Sequence, residues 1–360
     1  MLTDALEPNE EVLLISTARL DPDKGRCFAW YFGKPRGVGS THTYIHHPIY
    51  SGEKVLVLTG EEPIGVYGPG QALRELFGVT LYEGYPRLKR VSAVNGQIFG
   101  SVNSDTFIPD EDGSRKGRIP DKLVKLESWQ NFQDIYTHKC RIMDIYGDEE
   151  KLFILDYDRI MPEHIILPPQ IITSYNNNSG EVNCFWEKDN YNFYSSIHAG
   201  STKIFLGGVG TINEIDKSSH LAIPRYHDRS ISNAFEELGE ILETKDCQSI
   251  HFFSNLKRHQ LLSIKKRHPK FFEEASLNEI LFFYWDAFTV KHLTEYQSNL
   301  VYSVGRSLFV YGERQPMHTF RDNITGLVKV PLEMLVELEG RMNLRMGARI
   351  KKETRLSLAA

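Results

Sequence analysis

The stretch Val91-Ser92-Ala93-Val94-Asn95-Gly96-Gln97-Ile98-Phe99-Gly100 sets Asn-Gly between two runs of strand-forming residues. A two-residue type I′ turn needs positive φ at both central positions, and Asn followed by Gly meets that need at the lowest steric cost, so residues 90 to 103 are expected to fold back as a hairpin. The same cell recurs along the chain. Lys54 to Leu58 leads through a Gly/Glu/Pro turn to Ile64–Tyr67. Arg141 to Tyr146 passes Gly147–Glu150 and resumes at Lys151–Asp156. Val182 to Trp186 passes an EKDN turn into Tyr191–Ile197, and Lys203 to Ile215 and Asn299 to Tyr311 each read as two strands about a glycine turn.

Cells repeating at roughly 35 to 50 residues are expected when each repeat is a four-stranded sheet set around a common axis. One such sheet cannot bury both faces, whereas neighbours stacked face to face share a continuous apolar layer. The fold predicted is therefore mainly β, a propeller-like array of about five to seven blades over residues 1–330 with a partly helical insertion near 225–295, followed by a short helix and basic tail over 331–360. A two-sheet sandwich or two smaller β domains satisfy the same pattern less economically. Three places break the strand rhythm. Gln71–Phe77 reads as a short helix stopped by Gly78, Ser230–Thr244 as a longer one capped by Ser232, and the tail from Pro331 starts helically with Leu332, Leu335, Val336 and Leu338. No secondary structure is assigned to 256–280.

Composition excludes several classes. At 360 residues and 41% apolar content the chain can bury a sizeable core, and its net charge of −5 selects no partner. No apolar run is long enough to cross a bilayer, and the N-terminus carries acids where a secretory signal carries Lys or Arg, so a cytoplasmic location is expected and no membrane partner. Cys27, Cys140, Cys184 and Cys247 are far apart without CxxC pairing, which suggests neither a disulfide framework nor a cysteine zinc site.

Signatures of chemistry are sparse. His42 and His46, with His47 adjacent, share a face of either a helix or a strand, but a zinc site needs a third ligand from elsewhere and the default is a strand edge with exposed histidines. Asp110-Glu111-Asp112-Gly113-Ser114 has its glycine too early for a calcium loop. Gly207-Gly208-Val209-Gly210 leads into strand residues, so it reads as a tight turn and not a phosphate cradle. No GxSxG, HExxH or P-loop lysine occurs. Trp285-Asp286 is a lone dipeptide, and the basic tracts 257–270 and 341–352 are flanked by acids, so they read as solvated helix faces and nucleic acid is not an expected partner. No metal or cofactor is expected, and no catalytic residue is assigned. A propeller hydrolase using paired carboxylates is the alternative.

The cells RVSAVNGQIFGSVN, RIMDIYGDEEKLFILD and NLVYSVGRSLFVYGE resemble the degenerate blades of bacterial β-propeller immunity proteins of type VI secretion and polymorphic toxin systems. The likeness covers about half the chain, which lacks most of that family's blade-ending Asp-Gly-x-x-Trp turns. It implies a non-catalytic protein that neutralises a cognate toxin or effector by occluding its active site. A long-lived complex of that kind buries about 1,600 Å² and relies on aromatic or Arg anchors. Candidate partner-binding residues are Trp30, Tyr31, Phe32 and Arg36; Tyr82, Tyr85 and Arg87; the acids Asp110, Glu111 and Asp112; and Asp148, Glu149 and Glu150. Acidic loops suit a toxin with a basic cleft and speed encounter by steering.

Overall fold

The computed structural model describes residues 11–18, 25–31, 33–41, 43–60, 72–83, 88–102, 107–109, 115–118, 121–128, 131–137, 142–157, 170–188, 194–229 and 288–341. The Asn95-Gly96 hairpin forms as predicted, with φ of 50° and 74° at the two turn residues. It joins β8 (Leu88–Val94) to β9 (Gln97–Val102), which pair with β12 (Lys122–Ser128) and β13 (Asn131–Thr137) in one four-stranded antiparallel blade. Five further blades repeat it. β4 (Tyr44–Tyr50), β5 (Val55–Gly60), β6 (Ala72–Glu75) and β7 (Thr80–Glu83) form one, and β14 (Ile142–Gly147), β15 (Lys151–Tyr157), β16 (Gln170–Asn176) and β17 (Val182–Lys188) another. Next come β18 (Tyr194–Ala199), β19 (Lys203–Gly208), β20 (Thr211–Asp216) and β21 (Ala222–Tyr226). They are followed by β22 (Val290–Tyr296), β23 (Asn299–Val304), β24 (Ser307–Val310) and β25 (His318–Thr319). A two-stranded pair, β10 (Phe107–Pro109) and β11 (Arg115–Arg118), lies between β9 and β12 in the chain.

The remaining blade closes the ring. β1 (Glu11–Ala18), β2 (Gly25–Tyr31) and β3 (Lys34–Thr41) come from the start of the chain, and their sheet is completed by β26 (Asn323–Pro331) from its far end, paired antiparallel to β1. The six inner strands β26, β4, β8, β14, β18 and β22 touch one another in cyclic order, so the molecule is a six-bladed β-propeller. Apolar clusters fill the seams between blades. Leu13, Ile15 and Trp30 meet Tyr296, Val301 and Leu308 in one, and Leu56, Leu58 and Tyr82 meet Leu88 and Val91 in another. A helix α1 (332–341) follows β26 and buries Met334, Leu335 and Leu338 against Val12, Leu14, Leu76 and Phe77, which ties the closing strand to two blades.

Two readings of the sequence are corrected. Ala72–Glu75 is a strand and not part of a helix, because pairing with β5 and burial of Ala72, Leu73 and Glu75 outweigh the helix propensity of Ala, Leu, Arg and Glu. Val182–Trp186 and Tyr191–Ile197 are not one hairpin: β17 is the outermost strand of its blade and β18 the innermost of the next. The segments expected as a helix at 230–244, left unassigned at 256–280, or read as a second strand at 64–67 lie outside the described residues. The chain's tight connections, such as 95–96, 148–150 and 200–202, fall at the end of the ring where the inner strands finish, here the turn end. β5, β9, β15 and β21 finish at the opposite, crossover end, where β6, β12, β16 and β22 start. Among the described residues no helix is long and apolar enough to cross a membrane.

Candidate functional site: the axial channel

All six inner strands carry an irregularity at the same level. The pairing slips between Ile324 and Gly326 on β26, His46 and Ile49 on β4, Leu88 and Arg90 on β8, Ile142 and Asp144 on β14, Tyr194 and Ser196 on β18, and Lys291 and Thr294 on β22. A bulge places two residues opposite one and re-aims a side chain. Repeated around the axis, it turns Thr325, His47, Lys89, Ser195 and His292 into one layer of the inner wall. His47 and His292 take positive φ there, 42° and 49°, and their rings meet edge to face across the intervening strand at 5.9 Å.

Side chains in and beside this layer cross four of the six seams between blades. Thr325 Oγ1 donates to the Ile45 carbonyl at 2.6 Å, and Ser196 Oγ to the Val290 carbonyl at 3.0 Å. Lys89 Nζ donates to the Ile142 carbonyl, and the Ile142 N–H donates to Asp121 at 3.0 Å. The Ile197 N–H donates to Asp144 at 3.0 Å, and that of Gly147 to Ser92 Oγ at 2.8 Å. The approach is close enough that a Cβ on Gly207 would run into the Val290 carbonyl, and one on Gly326 into Pro48.

Inside this wall runs a cavity of about 1170 Å³, lined from His46, His47, Lys89, Arg90, Lys291 and His292 at the crossover half to Asp148, Glu149, Glu150, Lys217, Glu295 and Lys329 at the turn end. Burial governs its electrostatics. It pushes the Asp144 carboxyl up to about 6 against the pull of Arg90 and the Ile197 N–H. It drives the His198 imidazole down to about 3, with Lys329 and Lys217 adding to the effect, and holds His47 and His292 well below the ordinary histidine value. Among the described residues neither ring nitrogen of His198 has a hydrogen-bond partner, and its ring lies 4.4 Å from that of Tyr146. Asp148 goes the other way: burial raises it, but hydrogen bonds from Lys217 and the N–H groups of Glu150 and Lys151 outweigh that and hold it below the usual carboxylate range.

Among the described residues, those singled out in the sequence divide between the turn end and the blade seams. Arg36 is exposed at the turn end, where it pairs with Glu339 of α1 at 3.3 Å, and Asp148–Glu150 form a turn at that same end, beside the axis. Trp30 and Tyr82 are not surface anchors. At 5% and 4% exposure they fill blade seams, because large aromatic side chains in these strands face the neighbouring sheet. Phe32, Tyr85, Arg87, Asp110, Glu111, Asp112 and the side chain of Tyr31 lie outside the described residues, as does His42. Among the described residues no group of three His, Cys, Asp or Glu side chains is arranged to hold a metal. The channel residues were missed, yet the sequence does mark them. Ile45-His46-His47-Pro48, Leu88-Lys89-Arg90-Val91 and Val290-Lys291-His292-Leu293 each interrupt an apolar strand with two consecutive basic or imidazole residues near its start.

Fold and channel define the class: a six-bladed propeller, closed by its own chain ends, with a polar axial cavity. A solved structure assigned provisionally as TolB from Agrobacterium tumefaciens is similar, at 12% identity over 60% of this chain and 69% of that one with a TM-score of 0.36, values at which the likeness carries no functional argument. No family model and no curated protein matches the chain.

Proposed function

We propose that the chain is a non-catalytic binding protein that holds a partner across the turn end of its ring. The observation that carries this reading is how three carboxylates in and behind the channel wall are used. Asp121, Asp144 and Asp148 each face a cation, at 3.5, 3.5 and 2.8 Å, and each accepts backbone N–H bonds, which sets the spacing of the blades and leaves no free proton acceptor among the three. Glu149 and Glu150, next to them in the chain, are exposed at the rim beside the cavity mouth. In its narrower form, which rests on the blade resemblance, the partner is a toxin or effector whose basic cleft meets Glu149 and Glu150. A complex of the chain with such a partner, measured by calorimetry, is expected to weaken at raised salt and again in the Glu149→Gln, Glu150→Gln double variant. A partner bound equally well by that variant at all salt concentrations overturns the rim assignment.

The raised carboxyl of Asp144, in a cavity that Glu295 also lines, favours a second reading, a hydrolase using paired carboxylates of the channel. Turnover of glycan or phosphoester substrates that Glu295→Gln abolishes in a folded chain would decide for it.

A further inference from the structure

We propose that the turn half of the channel is a binding site for an organic cation, an alkylammonium or guanidinium group. Three consecutive inner strands build it: β14 brings Tyr146, β18 brings His198 and β22 brings Glu295, all of them lining the cavity. The three are contiguous. The rings of His198 and Tyr146 meet at 4.4 Å. Burial, and after it the charges of Glu295 and Asp148, push the Tyr146 phenol up. The Glu295 carboxylate sits against Gly200, two residues beyond His198, where an added Cβ would collide with it.

What marks a ligand here is acceptor capacity left over inside the wall. Glu295 is half-buried and has no hydrogen-bond or ion-pair partner among the described residues. His198, 2% exposed, has none for either ring nitrogen, and a neutral imidazole keeps one bare nitrogen that accepts. Two of the cations at this end are already engaged: Lys217 by Asp148 at 2.8 Å and Lys329 by Glu11 at 2.8 Å. Setting those pairs aside leaves Glu149, Glu150 and Glu295 against Lys151, an excess of negative charge focused by a low-dielectric wall. An ammonium or guanidinium group donates to Glu295 with charge assistance, offers a second N–H to His198, and meets the Tyr146 ring as cations meet aromatic faces. A bare metal ion fits less well, because among the described residues no three ligating side chains converge. The site stands on Glu295 and His198 inside the channel and does not depend on a partner at the rim.

The test uses the full chain with nitrogen-15-labelled histidine, titrated with the chlorides of ethylammonium, guanidinium or N-acetyl-lysine amide against potassium chloride at equal ionic strength. His198→Phe identifies the His198 signals. Saturable movement of the His198 ring-nitrogen resonances with ethylammonium or guanidinium, absent with potassium, is the expected result. The lysine amide binding about as well as ethylammonium assigns a basic side chain presented by another chain; binding about tenfold weaker or less assigns a free small amine. Glu295→Gln is expected to weaken binding about tenfold, the loss of one charge-assisted contact, in a chain whose thermal transition shows that it is folded. Glu295→Asp, which keeps the charge, is expected to retain more binding than Glu295→Gln. Resonances that stay still at about 50 mM of each organic cation, where even a site of about 10 mM is mostly filled, overturn the proposal in the unmodified chain. So does equal movement with potassium, or binding that Glu295→Gln leaves untouched.

Discussion

At the scale of the residue, the ionisable groups of the channel wall set how the protein answers to acid. His198 is 2% exposed and its imidazole titrates at about 3, below the ordinary value of 6.5. The unfolded chain therefore takes up a proton first, and stability falls as pH drops below about 6.5, by about 1.4 kcal/mol per unit for this one group. His47 and His292 act in the same direction. Denaturant melts between pH 7 and pH 5 are expected to show this slope, and His198→Phe to flatten it; an unchanged slope in that variant would show that His198 is not held neutral. Glu75 has the opposite sign. Burial raises it, but hydrogen bonds from Lys54 at 2.5 Å and Arg341 at 3.0 Å prevail and hold it below the usual carboxylate range. Its contribution is present at neutral pH and is lost as pH falls through the folded value, so Glu75→Gln is expected to cost about 1–3 kcal/mol at pH 7 and progressively less below pH 4. Little of this was legible in the sequence. A histidine beside a proline or a lysine reads as surface until the bulge that turns it toward the axis is known.

At the scale of the element, the hairpins were legible and their neighbours were not. Asn95-Gly96 and the glycine turn before Thr211 announce reversals through local sterics. Whether two successive strands share a blade is decided by seam packing, which alternation along one strand does not encode, so β17 and β18 read alike as partners or as a crossover. Leu76 and Phe77 show the same limit: both are buried in the seam under α1, with Phe77 at a φ of 58°, although their local sequence favours a helix. The shared bulge makes a sharp prediction. Gly207→Ala drives a methyl group into the Val290 carbonyl of the next blade and is expected to destabilise the fold by about 1–3 kcal/mol. Gly37→Ala, on an outer strand with nothing within 4 Å of the new methyl, is expected to be neutral or slightly stabilising in the same urea melts.

At the scale of the whole molecule, the repeat spacing made a ring readable, while blade number and closure were not, because the sixth blade is assembled from residues more than 280 positions apart. Closure makes the ring cooperative: β26 supplies the inner strand of that blade and a link in the stitched layer, and leads into α1. A chain ending at residue 322 is expected to lose its sharp thermal transition, with circular dichroism reporting a broad melt or none. The same geometry separates two opposed ends, and of the described candidate residues Arg36 and Asp148–Glu150 fall at the turn end while Trp30 and Tyr82 are buried in blade seams. The central claim, that this ring works by holding a partner at its turn end and not by reaction, is tested most directly by quantitative affinity purification of the full chain from the cells that make it, in parallel with the Glu149→Gln, Glu150→Gln variant. One protein recovered in fixed ratio with the unmodified chain and depleted with the variant is the predicted result; no protein in fixed ratio, or equal recovery with both, contradicts it.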